Sequence, residues 1–212
     1  IHQAGIKAKD LVHQLLAFGR KQALEIKTVD INALIEGLEK LLERTIPENI
    51  NLEVILDPRR PMIRADAGQI EQVILNLMLN ARDAMPDGGH LYVETRLISV
   101  GGRRPEVTGL EPGDYVELTV TDSGHGMEKS VIDRIFDPFF TTKETEKGTG
   151  LGLAMVYNIV KQHGGVIDVK SEIGVGTVFT LYLPMTRDSK LPLKSKADDS
   201  IVSGEGLVLI VE

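Results

Sequence analysis

Three glycine-rich strings follow a helix-patterned segment in fixed order, and no other feature of the 212-residue chain constrains its fold as tightly. The segment carries Asn76-x-x-x-Asn80, and the strings are Asp122-Ser-Gly-His-Gly126, Gly148-Thr-Gly-Leu-Gly-Leu153 and Gly174-Val-Gly-Thr177. Glycine lets backbone N–H groups approach a ligand oxygen with no Cβ in the way, and a helix that starts at such a turn adds the positive end of its dipole. Gly148 to Leu153 is expected to open such a helix. Ala154, Val156, Tyr157, Ile159 and Val160 continue it, and Gly164-Gly165 supplies a stop. The combination points to phosphate held by backbone amides, and Mg²⁺ suits it because that ion prefers oxygen ligands and keeps several waters. Asn80 is the candidate ligand. Taken singly, each string is as compatible with an ordinary turn, and a helical Asn with a solvated or capping residue.

Hydrophobic periodicity organises the rest. Ala4, Ala8, Leu11, Leu15 and Phe18 alternate spacings of four and three, either a coiled-coil seam or an ordinary amphipathic helix. After an extended piece over 24–29, Asp30 is placed to cap a helix with the stripe Ile31, Leu34, Ile35, Leu38, Leu41 and Leu42, ending before Pro47. Short strands are expected over 50–56 and 62–65, separated by Asp57-Pro-Arg-Arg-Pro61. The next helix, about 67–85, turns Ile70, Val73, Ile74, Leu77, Ala81 and Ala84 inward, with Asn76 and Asn80 one turn apart at the edge of that face. Strands over 91–97 and 115–122 flank a surface loop at 100–113, and 166–170 with 177–183 form a hairpin. This order predicts an α+β chain, a two-layer α/β sandwich with helices on one face. Residues 186–203 have linker composition, and Gly206-Leu-Val-Leu-Ile-Val211 reads as a short buried strand or a stray tail.

The Asn helix, Asp-x-Gly-x-Gly, Phe136-x-Pro138-Phe139-Phe140, Gly-Thr-Gly-Leu-Gly-Leu and Gly-x-Gly-Thr all fall between residues 71 and 177. In that order they resemble the ATP-binding domain of two-component sensor histidine kinases, a superfamily shared with gyrase, the ninety-kilodalton heat-shock chaperones and mismatch-repair ATPases. The resemblance covers about 24–185 and implies a mixed, largely antiparallel sheet, with ATP and Mg²⁺ as ligands. It implies that Asp122 reads adenine, that Gly124 and Gly126 let the turn pass close to the base, and that Asn80 holds the metal. Gly148, Thr149, Gly150, Leu151, Gly152 and Leu153 would surround the phosphates. Ser123 stands where many relatives have Asn. Thr177 would support the adenine pocket, or is simply a strand residue, and Lys143, in the polar lid over 141–147, either reaches the γ-phosphate or stays solvated. Phe136, Phe139 and Phe140 would anchor the lid base and dock a helical hairpin. Residues 1–23 look like the second helix of the dimerisation and phosphoacceptor hairpin, and 204–212 like the first strand of a receiver domain. The implied partners are that hairpin, a response-regulator receiver and a second copy of the chain.

The residues also discriminate among functions. Hydrolysing relatives carry Glu one turn before the metal-binding Asn, to activate water; here that position is Asn76, an amide that accepts no proton at neutral pH. That favours phosphoryl transfer to a nucleophile supplied elsewhere over an ATP-hydrolysing clamp or a nucleotide-bound scaffold. His2 and His13 are followed by Gln rather than an acid, so no phosphoacceptor is assigned; His90 and His125 are turn residues, and His163 sits at a helix C-terminus, where the dipole favours partial positive charge. The balance of 24 Lys+Arg against 31 Asp+Glu, net −7, disfavours nucleic acid and anionic membrane as partners. The absence of cysteine fits a cytoplasmic setting, and no apolar run reaches membrane-span length.

Overall fold

The computed structural model describes residues 24–102, 107, 109–143 and 148–186. The expected hairpin helix over 1–23, all but Thr186 of the linker, and the strand expected over 204–212 lie outside them. No helix among the described residues is long and apolar enough to cross a membrane.

Two short carboxylate side chains start the main helices. Asp30 accepts the Asn32 N–H at 3.1 Å at the start of α1 (Ile31–Thr45), as expected, and Asp66 accepts the Gln69 N–H at 3.2 Å at the start of α2 (Ala67–Asp83). α2 buries Ile70, Val73, Ile74, Leu77, Met78 and Ala81. Met78 joins the expected face, while Ala84 falls past the helix end and is half-buried. After the single turn α3 (Lys129–Ile132), α4 (Gly152–Gln162) begins at Gly152 rather than at Gly148. It buries Ala154, Met155, Val156, Ile159 and Val160, while Tyr157 lies 37% exposed against Phe136.

The helices cover one face of a five-stranded sheet built from β2 (Ile50–Ile55), β4 (Gly89–Val100), β5 (Gly113–Asp122), β6 (Val166–Glu172) and β7 (Gly176–Pro184), in the order β2-β4-β5-β7-β6. Only β2–β4 is parallel, so the sheet is mixed and largely antiparallel. Alternation sends Leu91, Val93, Val116, Leu118, Val120, Phe179, Leu181 and Leu183 into the core. On the other face Val107 and Leu110 cover Val100, Tyr115, Val166 and Tyr182.

The consecutive strands β2 and β3 (Met62–Ala65) do not pair with each other. β3 joins β1 (Lys27–Asp30) in a separate antiparallel pair, while β2 enters the main sheet. The turn between them is fixed from outside. The Asp57 carboxylate accepts the Leu97 N–H, the Arg59 N–H and Arg59 Nε, each at 2.9 Å, and Arg59 Nη2 at 2.6 Å. Its own N–H donates to Thr95 Oγ1 (2.9 Å), Thr95 Oγ1 donates to Asn32 Oδ1 (2.8 Å), and Asn32 Nδ2 donates to the Asp57 carbonyl (2.8 Å). α1, the turn and β4 are thereby locked together.

The Arg59 side chain holds the Asp57 carboxyl far below the usual carboxylate range; burial opposes this, and the Leu97 and Arg59 N–H groups add to it. A depressed folded value stabilises above the unfolded value of about 4 and is lost as pH falls through the folded value. Asp57→Ala should therefore cost about 1–3 kcal/mol at neutral pH, mostly through the orphaned N–H groups, because the Arg59 side chain is largely solvated. Urea unfolding of parent and variant should converge as pH drops below about 4.

Candidate functional site

A cavity of about 1160 Å³ opens between α2, the N-terminus of α4 and the ends of β5 and β7. Of the residues singled out from sequence, it is lined by Asn76, Asn80, Asp122, Lys143, Gly148, Thr149, Gly150, Gly152, Leu153 and Thr177. Gly124, Gly126 and Leu151 stand behind its walls, Leu151 as a buried core residue.

At one end β5 delivers Asp122, 6% exposed, to the cavity, whose lining also includes the apolar residues Ala84, Met85, Pro86 and Phe179. Its carboxylate accepts the Gly124 N–H at 2.9 Å and the Thr177 N–H. Burial pushes this carboxyl up, and the two N–H groups and nearby His125 offset that only in part. Gly126, at φ 67°, lies so close to the Glu172 carbonyl that a Cβ would collide with it, which seats the 122–126 turn on the β6–β7 hairpin. Thr177, 4% exposed, is paired in register with Asp122 and faces the same cavity.

At the other end α4 begins with Leu151 as a cap that makes no side-chain hydrogen bond, so its first amides and its positive dipole end are free to meet an anion. Asn76 abuts this end: a methyl on Gly152 would sit 3.6 Å from Asn76 Oδ1. The preceding turn is tight. Phe139 N–H donates to the Gly150 carbonyl at 2.9 Å, and Gly150, at φ 65°, presses on the Phe139 backbone, itself at φ 68°. Of the three phenylalanines, Phe140 alone lines the cavity, with Arg134 4.4 Å over its ring; Phe139 is 67% exposed and Phe136 meets Tyr157 at a tilt of 37°.

Lys143 neither waits free for a phosphate nor points to solvent. Its Nζ donates to Asp83 Oδ2 at 2.7 Å and to Asn80 Oδ1 at 3.3 Å. Arg82 holds the other Asp83 oxygen, at 2.7 Å from Nη2 and 2.9 Å from Nε. Burial raises the Asp83 carboxyl, but Lys143 and Arg82 outweigh it and leave it lowered. Sequence reasoning passed over Asp83; its signal was its place three residues after Asn80, on the same helical face. An amide oxygen and a carboxylate oxygen are hard donors of the kind Mg²⁺ takes, so the residue types at this edge fit that ion. Among the described residues no group of three or more His, Asp or Glu is placed to hold a metal ion.

His163 sits at the C-terminal end of α4, as expected. Its Nδ1 lies 2.8 Å from the Ile159 carbonyl while Nε2 accepts the Asp66 N–H at 3.1 Å, an arrangement that places the donor on Nδ1 and joins the start of α2 to the end of α4.

Residues 65–187 match the family described as histidine kinase-, DNA gyrase B- and HSP90-like ATPases. The sensor kinase CckA of Brucella abortus is 42% identical over 228 residues, which takes in 100% of this chain and 23% of CckA. The sensor histidine kinase ZraS of Escherichia coli K12 is 39% identical over 183 residues, 86% of this chain and 36% of ZraS. The chain thus spans well under half the length of these curated relatives. Among solved structures, full-length ShkA in complex with AMPPNP superposes with a TM-score of 0.71 at 28% identity, covering 87% of this chain and 37% of ShkA. The mycobacterial sensor histidine kinase MprB gives 0.59 at 28% identity, covering 76% and 97%.

An aspartate whose folded value is raised favours folding while protonated, and that contribution is lost as pH rises through the raised value. Asp122→Asn should therefore make the nucleotide-free chain more stable than the parent at pH 7, an advantage that shrinks toward pH 4. Thermal unfolding across that range is the check.

Proposed function

Because the chain belongs to the family of histidine kinase-, DNA gyrase B- and HSP90-like ATPases, we propose that it is the ATP-binding catalytic part of a sensor histidine kinase. It would pass the γ-phosphoryl group of Mg-ATP to a histidine nitrogen on a separate helical hairpin, with ADP leaving, for relay to an aspartate of a response-regulator receiver domain. In this reading Asp122 accepts from the adenine amino group, Gly124 and Gly126 shape the slot, and Thr177 supports the base. The amides at Gly148, Thr149, Gly150, Gly152 and Leu153, with Leu151 fixing the helix start, meet the phosphates. Asn80 holds Mg²⁺, which when bound neutralises phosphate charge. Lys143 gives up the Asn80 oxygen, stays tethered to Asp83 and meets the γ-phosphate. The full-length protein works as a homodimer, and this part of it in the cytoplasm.

The observation that carries the choice within the family is the amide of Asn76 at the start of α4, where a hydrolysing site needs a base. Among the described residues the carboxylates lining the cavity are Asp122, at the base end, and Asp83, paired with Lys143 and Arg82, and His125, the histidine in that lining, lies near Asp122. A site that positions and neutralises without a base suits transfer to a nucleophile brought from outside.

Calorimetry should find one Mg-ATP site per chain. Asn80→Ala should remove most of the Mg²⁺-dependent part of the affinity, and Lys143→Ala should weaken ATP more than ADP, by about one charge-assisted hydrogen bond, or tenfold. The chain alone should release phosphate slowly from labelled ATP, and addition of a histidine-bearing hairpin from the same kinase should give acid-labile phosphohistidine on that partner. Rapid phosphate release by the chain alone would instead favour a clamp ATPase.

A further inference from the structure

Ser171 lies on β6 directly across from Thr177 on β7 and outside the lining of the cavity. Its hydroxyl oxygen sits 3.0 Å from the Gly176 carbonyl oxygen and 2.9 Å from Thr177 Oγ1. A hydroxyl has one proton, and a carbonyl oxygen only accepts. Ser171 therefore gives its proton to Gly176, and Thr177 must be the donor in the contact between the two hydroxyls. With that proton committed, buried Thr177 Oγ1 offers the cavity nothing but lone pairs.

We propose that Ser171 is a positioning residue for base selection: by taking the Thr177 proton it turns that hydroxyl into a fixed acceptor beside the Asp122 carboxylate. Two adjacent acceptors match an exocyclic amino group, which has two N–H donors and can serve both. A purine lacking that amino group leaves both acceptors unmet, and one with an oxo group in its place opposes them with lone pairs. The proposal rests on the reading of the cavity as a nucleotide site with its base at Asp122.

In Ser171→Ala the Thr177 proton loses its acceptor and is free to turn into the cavity, where it opposes the amino group. The test compares binding of ATP with that of purine riboside 5′-triphosphate, which differs from ATP by the amino group alone, for parent, Ser171→Ala, Ser171→Thr and the double variant Ser171→Ala/Thr177→Val. Ser171→Ala should lower the preference for ATP about three- to tenfold, the worth of one hydrogen bond, with little change for the other nucleotide. Ser171→Thr should restore the preference, and Ser171→Ala should add nothing in a Thr177→Val background. Equal weakening of both nucleotides, or an unchanged ratio, would overturn the role of Ser171 while leaving the nucleotide site in place. A parent chain that binds neither nucleotide would bring down the site itself.

Discussion

Everything in this molecule hangs on how one helix is divided lengthwise. α2 sets Ile70, Val73, Ile74, Leu77, Met78 and Ala81 against the sheet and α4, all at most 3% exposed. Burial of this kind contributes roughly 1.5–3 kcal/mol for each large apolar side chain, so the helix has one rotational setting. At 3.6 residues per turn, that setting leaves Asn76, Asn80 and Asp83 as a polar stripe along the adjacent edge. The core thereby aims the cavity's oxygens, and no loop has to hold them.

The two ends of the cavity solve opposite electrostatic problems. At the Asp122 end a buried carboxylate is kept serviceable by two backbone N–H groups. At the Lys143 end, carboxylate, amide, ammonium and guanidinium are packed so closely that each charge has a partner. The first arrangement costs stability in the empty chain; the second keeps its charges balanced by an internal cation.

Local chemistry was the legible part of the sequence. The Asn helix, the Asp30 cap, the glycine turns and the two-layer sandwich all follow from short-range rules, and the structure brings ten of the thirteen predicted site residues to the lining of one cavity. What the sequence hid is long-range. The strands expected over 50–56 and 62–65 are separated by one turn, but their partners cannot be read from it: the turn's Asp57 is held by Leu97 and Thr95, some forty residues away. Lys143 looked like a free lid charge because its partner Asp83 is sixty residues upstream. Periodicity places Tyr157 on the helix but not its partner: Met155 and Val156 fill the core side, and Tyr157 meets Phe136, twenty-one residues upstream.

The His163 link gives the two central helices a common origin. From Asp66, ten residues of α2 at 1.5 Å each reach Asn76, about 15 Å on; from His163, eleven residues of α4 run back to Gly152, about 16 Å on. The two arms are rulers of nearly equal length laid side by side from one zero mark, and they close on each other where Asn76 meets Gly152. A single residue inserted into either arm would offset the graduations by about 1.5 Å and swing the far mark by roughly 100°, so the spacing between carboxamide and glycine turn is a dimension stored in helix length, measured from an imidazole at the opposite end of α4 from the cavity it gauges.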